Sequence, residues 1–227
     1  MTDTVLEMTS DPFTQHREHL DALRLYLITD RTLLPEGQFL AGIEAALKGG
    51  VRAIQLREKD LPENELRTLA INVLKLTQKY NALLIINHRA ELADEIGANG
   101  VHLTESSPAV RKIRKEFPGL LIGKSTHSLQ SALRAQHQKA DFVTFSPVYD
   151  TPSKQQYGPP QGLEKLKQVC AGLDIPVLAL GGIDLSRIST VRKQGAFGVG
   201  LIRGIWNSPN IEHESMQYMN ALTGENQ

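Results

Sequence analysis

The chain has 227 residues, 41% of them hydrophobic and 22% charged, enough for one large buried core and within the range of a one-domain α/β barrel. Lys+Arg and Asp+Glu both number 25, so no net field draws it to nucleic acid or an anionic membrane, and no apolar run approaches the roughly 20 residues of a spanning helix. One cysteine, Cys170, excludes an intramolecular disulfide framework and a Cys-based zinc site.

Residues 1–24 are polar, acidic and Thr-rich, without the charged-then-apolar order of a secretory signal. They read as a short N-terminal arm or helix, and a cytoplasmic protein is the expectation. From Leu25 onward, short apolar runs alternate with amphipathic stretches. Eight runs are strand candidates: residues 25–29, 51–56, 83–87, 100–103, 120–125, 141–146, 175–180 and 197–202. Between them, residues 62–80 place Leu66, Leu69, Ala70, Val73 and Leu74 at helical spacing. Ser128 and Asp184 stand where helix caps are expected, and Gly195 stops the second of those helices. Strict alternation implies a parallel sheet with crossover helices. Eight units predict a single α/β (β/α)8 TIM barrel over residues 25–222, with a doubly wound open sheet as the alternative and residues 223–227 as a frayed tail. Polar residues gathered at the strand ends favour the barrel, because there those ends converge on one mouth.

Four stretches carry chemistry. "QLREKD" sets Gln55, Arg57 and Lys59 at alternate positions, one face of an extended strand, as a donor array for an anionic or heteroaromatic ligand. An exposed edge strand with a wet basic face is the structural alternative. "GKSTHS" brings Ser125 and His127 to the end of the fifth strand, and a histidine is the side chain most readily poised for proton transfer near neutral pH. The loop "SPVYDTPSKQQYGPPQG" is long enough to be a functional lid, with Thr151, Ser153 and Lys154 as donors to phosphate or carboxylate. Gly181 and Gly182 after the seventh strand, with the helix start after the eighth, suggest backbone contacts to a phosphate. His102, in "GVHL", either points into the mouth or is a satisfied interior histidine. No His/Cys/carboxylate spacing makes a metal site.

Together these motifs resemble the thiamine phosphate synthase and TenI-type thiazole tautomerase superfamily. The likeness runs from about Leu25 to Trp206 through Q-x-R-x-K, the strand-three Asn87, G-x-H, G-x-S-x-H-S, P-V-[FY]-x-T-x-[ST]-K (Pro147 to Lys154), G-G-I and a G-V-x-x-I turn. The resemblance implies that Gln55, Arg57, Lys59, Asn87, Ser125 and Lys154 bind aminopyrimidine pyrophosphate. It implies that Thr151, Ser153, Gly182, Ile202 and Arg203 hold thiazole phosphate; Ile202-Arg203 stands where synthases commonly have Ile-Ser. Synthases hold Mg²⁺ through two aspartates, but here those positions are His88 and about Ser107, with Glu105 the only nearby carboxylate. Mg²⁺ relies on carboxylate and phosphate oxygens, so its binding should be weak here.

Three functions follow as expectations. First is a thiazole tautomerase-like isomerase without cofactor, in which His127 shuttles a proton on carboxythiazole phosphate. Next is a Mg²⁺-dependent thiamine phosphate synthase with a weakened metal site. Last is a non-catalytic barrel that binds a thiamine precursor. In each the partners are small molecules, with no nucleic acid and no membrane, and a homo-oligomer is left open.

Overall fold

The computed structural model describes residues 19–151 and 159–224. Eight parallel strands close into a barrel in sequence order: β1 (Leu25–Ile28), β2 (Ala53–Leu56), β3 (Leu83–Asn87), β4 (Gly100–Leu103), β5 (Leu121–Thr126), β6 (Phe142–Phe145), β7 (Val177–Leu180) and β8 (Gly198–Leu201). β8 pairs with β1 through Leu25–Val199 and Leu27–Leu201, which rules out the open sheet. Each strand lies within two residues of its predicted run. Residues 19–22 are helical, and residues 1–18 and 225–227 of the expected arm and tail lie outside the described residues.

The crossover helices are α1 (Phe39–Lys48), α2 (Glu63–Lys79), α3 (Ala90–Ile96), α4 (Val110–Glu116), α5 (Leu129–His137), α6 (Gly162–Gly172) and α7 (Leu185–Lys193). A single turn, α8 (Arg203–Trp206), and α9 (Ile211–Thr223) complete the set. In α2 the periodic positions Leu66, Ala70, Val73 and Leu74 are buried, whereas Leu69 is only partly so. Burying one such aliphatic side chain stabilises by about 1.5–3 kcal/mol. Ser128 caps α5 with a reciprocal Ser128–Ser131 capping box. Asp184 does occupy the N-cap of α7, but without the expected side-chain cap bond: its carboxylate accepts from Ser186 Oγ at 2.5 Å. Gly195 follows the end of α7 at φ +93°, the left-handed turn that stops a helix.

Strand side chains alternate between two cores. Leu25, Leu27, Ile54, Leu56, Leu84 and Ile86 pack outward under the helices. Tyr26, Ile28, Ala53, Leu83, Ile85, Leu121, Phe142 and Leu178 fill the barrel. Gly123 makes room in that interior, since a Cβ there would lie 2.3 Å from Phe142 Cζ and 2.7 Å from His102 Nδ1. Trp206 closes the circle: its indole N–H donates to the Ile28 carbonyl at 2.8 Å, tying the turn after β8 to the end of β1.

Candidate active site

Period-two alternation carries the inward column of each strand toward the C-terminal mouth, and there it turns from apolar to polar. Going around, the inward residues are Gln55, Asn87, His102, Ser125 and Thr144, with Arg57 just past the end of β2. Buried polar groups need partners, and these find one another. Gln55 Nε2 donates to the Tyr26 hydroxyl at 2.9 Å. That hydroxyl lies 3.3 Å from His102 Nδ1, while His102 Nε2 is 3.0 Å from Ser125 Oγ and 3.5 Å from Thr144 Oγ1. Desolvation, aided by Lys124 and Arg57, lowers the His102 pKa to about 3, so the ring is neutral. Burial likewise keeps the Tyr26 phenol protonated. His102 is therefore a satisfied interior histidine, and it also touches a residue of the mouth.

The basic array behaves differently from a simple strand face. β2 ends at Leu56, and Gln55 is buried beneath the mouth, its amide N–H committed to Tyr26. Arg57 is half-buried and Lys59 exposed, and neither makes an ion pair among the described residues. Arg57 lies close enough to hold the Lys59 pKa below its ordinary value. Between them Glu58 turns away and is buried, accepting from Thr29 Oγ1 at 2.5 Å and from the Arg31 N–H at 3.1 Å. Thr29 Oγ1 in turn accepts from the Arg57 N–H at 2.9 Å. Desolvation raises the Glu58 pKa. This brace was missed in the sequence, although the alternation that turns Arg57 and Lys59 one way turns Glu58 the other.

At the corner after β3, Asn87 is buried and its Nδ2 donates to His88 Nδ1 at 2.9 Å. His88 sits at φ +50°, a left-handed conformation that costs a non-glycine residue about 1–2 kcal/mol. Its N–H donates to the His102 carbonyl at 2.9 Å. Burial and then the cations Arg89, Lys59 and Arg57 hold its pKa below the usual histidine range. The second expected metal position, Ser107, accepts from the Thr104 N–H at 2.9 Å. Glu105 is exposed, and no group of three His, Cys, Asp or Glu among the described residues is arranged to hold a metal. An imidazole facing three cations and a hydroxyl committed to a turn do not fit a Mg²⁺ ion held by paired carboxylates.

His127, just past β5, is partly exposed. Its Nδ1 lies 2.6 Å from the Ser146 carbonyl, so Nδ1 carries the proton and Nε2 is left as the basic nitrogen, 3.9 Å from Glu105 Oε1. Beyond β6, Val148 and Tyr149 donate to the Leu180 and Gly181 carbonyls at 2.8 and 3.0 Å. Gly181 and Gly182 adopt φ +94° and +63°, and a Cβ on Gly182 would fall 2.6 Å from the Asp150 carbonyl. The Gly182 carbonyl accepts from Arg187, whose guanidinium stacks 4.4 Å from the Tyr149 ring. The Gly182 N–H donates to no backbone carbonyl among the described residues. Ile202 caps α8 and Arg203 is exposed. Thr151 is the last described residue before the gap; Ser153, Lys154 and most of the expected lid lie outside the described residues.

The fold and its polar C-terminal mouth define a (β/α)8 barrel of the kind in which enzymes build their active sites. A family model described as thiamine monophosphate synthase matches residues 25–205, and the chain belongs to the thiamine phosphate synthase/TenI superfamily, a family of thiamine biosynthesis. A "Putative thiamine-phosphate synthase 2" of Aquifex aeolicus is 47% identical over 78% of this chain and 94% of its own. A "Thiamine-phosphate synthase" of Desulfitobacterium hafniense is 37% identical over 80% and 88%. The solved structure of a thiamine phosphate pyrophosphorylase from Pyrococcus furiosus superposes with a TM-score of 0.83 at 30% identity, covering 90% of this chain and 97% of that one. Among the described residues no helix is long and apolar enough to cross a membrane.

Proposed function

We propose that this member of the family is a thiazole tautomerase-like isomerase that works without a metal ion. The observation that carries the reading is the His127 geometry. The Ser146 carbonyl fixes the ring through Nδ1, leaving Nε2 as a base at the mouth. Nε2 takes a C–H proton from the non-aromatic ring of carboxythiazole phosphate, and the electron pair moves through the conjugated system. The imidazolium then returns a proton at its far end, and the ring becomes aromatic. One proton leaves and one arrives, so no oxidant or leaving group is required. Glu105, 3.9 Å from Nε2, stabilises the transient imidazolium. The substrate phosphate lies against the Gly182 N–H and the turn at Ile202–Arg203, with Thr151 alongside. Arg57, Lys59 and Lys154 attract the carboxylate, to which the Ser125 hydroxyl donates, and Asn87 orients the ring. His88 and Ser107 at the two aspartate positions support the same choice, because this proton shift asks nothing of them.

A second reading, a thiamine phosphate synthase, is favoured by Arg57 and Lys59, which make no ion pair among the described residues, and by the names of the relatives. In it Gln55, Arg57, Lys59, Asn87, Ser125 and Lys154 hold aminopyrimidine pyrophosphate, and Mg²⁺ would neutralise the leaving pyrophosphate.

Tautomerisation of carboxythiazole phosphate, assayed beside the coupling of aminopyrimidine pyrophosphate to thiazole phosphate with and without Mg²⁺, separates the two. Proton shift without added metal, lost by about 10²–10⁴-fold in His127→Gln, supports the isomerase. Coupling turnover that needs Mg²⁺ and survives in that variant would replace it with the synthase.

A further inference from the structure

The buried chain Gln55–Tyr26–His102–Ser125 has a fixed direction. Tyr26 is fully buried, and its oxygen already accepts the Gln55 amide proton at 2.9 Å. Among the described residues the phenol proton then has one acceptor within reach, His102 Nδ1 at 3.3 Å. A ring that accepts at Nδ1 and is neutral carries its proton on Nε2. That N–H points at Ser125 Oγ, 3.0 Å away, with Thr144 Oγ1 the more distant neighbour at 3.5 Å. Ser125 is the member of the chain that is only partly buried, at the end of β5. With its oxygen accepting from His102, its own proton is directed away from the ring and toward the mouth. From Gln55 to Ser125 each oxygen or nitrogen accepts from the group before it, which leaves the Ser125 proton as the end of the chain.

We infer that His102 is a positioning residue: held as its Nε2–H tautomer by Tyr26 and Gln55, it turns the Ser125 hydroxyl into a dedicated donor to an anionic ligand. This rests on the reading of the mouth as the substrate site, but not on which of the two reactions occurs there. It also gives Gln55 a role the sequence motif does not suggest, since its amide sets the direction of the chain from beneath the mouth. A charged or Nδ1–H ring would leave the Tyr26 proton without an acceptor in a space packed by Phe142, whose ring meets that of Tyr26 edge-on at 5.5 Å.

Two measurements test it on the full chain. In ¹⁵N-histidine NMR, with the signal assigned by its loss in His102→Gln, the ring should show the Nε2–H tautomer and stay neutral from pH 5 to 9. Tyr26→Phe keeps the packing but removes the donor, and should relax that preference. A protonated or Nδ1–H ring in the parent protein would overturn the proposal whatever reaction the protein performs. In calorimetry with inorganic pyrophosphate, Ser125→Ala and His102→Asn should each weaken binding about tenfold to a hundredfold, and the double variant no further. His102→Gln, whose amide N overlies Nε2, should recover most of the loss. Additive losses, or no recovery with Gln, would reduce His102 to a packing role. Pyrophosphate that fails to bind the parent, alongside an Nε2–H ring, would instead overturn the role of Ser125 as a donor to an anion.

Discussion

The two sides of the barrel mouth are built from different materials. From β2 to β5 the lining consists of side chains: Arg57, Asn87 and Ser125, the last held by the hydrogen-bond chain that runs from Gln55 through Tyr26 and the interior His102. Across from them, after β7 and β8, it consists of backbone: Gly181, Gly182 and the turn at Ile202. A side chain placed by a network is sensitive to what its atoms are, because each donor needs one acceptor. Backbone placed by a glycine turn is sensitive only to whether a Cβ can be accommodated. On the proposed reading, the first side would select a ligand's chemistry, and the second would grip any phosphate whose oxygens fit.

The comparison can be broken from either side. The largest effect is expected at Gly182. Gly182→Ala puts a methyl 2.6 Å from the Asp150 carbonyl at φ +63°, and should cost about 1–3 kcal/mol in denaturant unfolding while reducing inorganic phosphate binding in calorimetry. Ile202→Ala, which leaves the backbone intact, should bind phosphate nearly as well; a large loss there would mean side chains also build the second half.

Next in size is the brace under Arg57. Glu58→Gln at neutral pH weakens two bonds to a buried carboxylate, from Thr29 and the Arg31 N–H, and should cost about 1–3 kcal/mol. Pyrophosphate binding should fall with it, as Arg57 loses its fixed backbone.

A pH prediction sharpens the network side. His102 is lowered from 6.5 to about 3 by burial and by Lys124 and Arg57, so between those values the unfolded chain binds the extra proton. Its contribution is complete above pH 6.5 and is lost as the pH falls, by about 1.4 kcal/mol per unit toward pH 3. Urea unfolding from pH 7 to 4 should show that slope in the parent and a shallower one in His102→Gln. Glu58, raised by burial, works in the opposite direction in the acid range, so the difference between the two proteins isolates the histidine.

The smallest effect on stability is expected at His88. Aspartate is among the residues that tolerate a left-handed φ, so His88→Asp should shift stability by no more than about 0.5 kcal/mol. It should nevertheless raise Mg²⁺ affinity in calorimetry, since it restores one oxygen ligand beside Asn87. No gain in metal binding would mean that the corner itself, and not the side chain at 88, decides what the mouth can hold.

Much of this molecule is legible in its one-dimensional pattern. Eight apolar runs separated by amphipathic stretches leave a parallel sheet as the answer, because each parallel neighbour needs a crossover. The polar residues at the ends of those runs mark the mouth. Gly181–Gly182 declare a turn that L side chains resist, and Ser128 declares its helix start. These signals are local, set by period, propensity and φ, and the sequence states them directly.

Closure, partnership and depth were decided only in three dimensions. The β1–β8 pairing that separates a barrel from an open sheet joins residues far apart in the chain. Gln55 belongs to a motif that reads as ligand-binding, yet tertiary packing buries it against Tyr26, a residue that reads as ordinary core. Glu58 looks like one more charge in a basic run until Thr29 folds over it. His102 is readable as a polar residue in a strand, but its protonation state depends on what surrounds it: a dry interior excludes the imidazolium, and one phenol proton fixes the tautomer. Sequence specifies which groups are present, while hydrogen-bond direction and charge state depend on neighbours that only the closed barrel brings within reach.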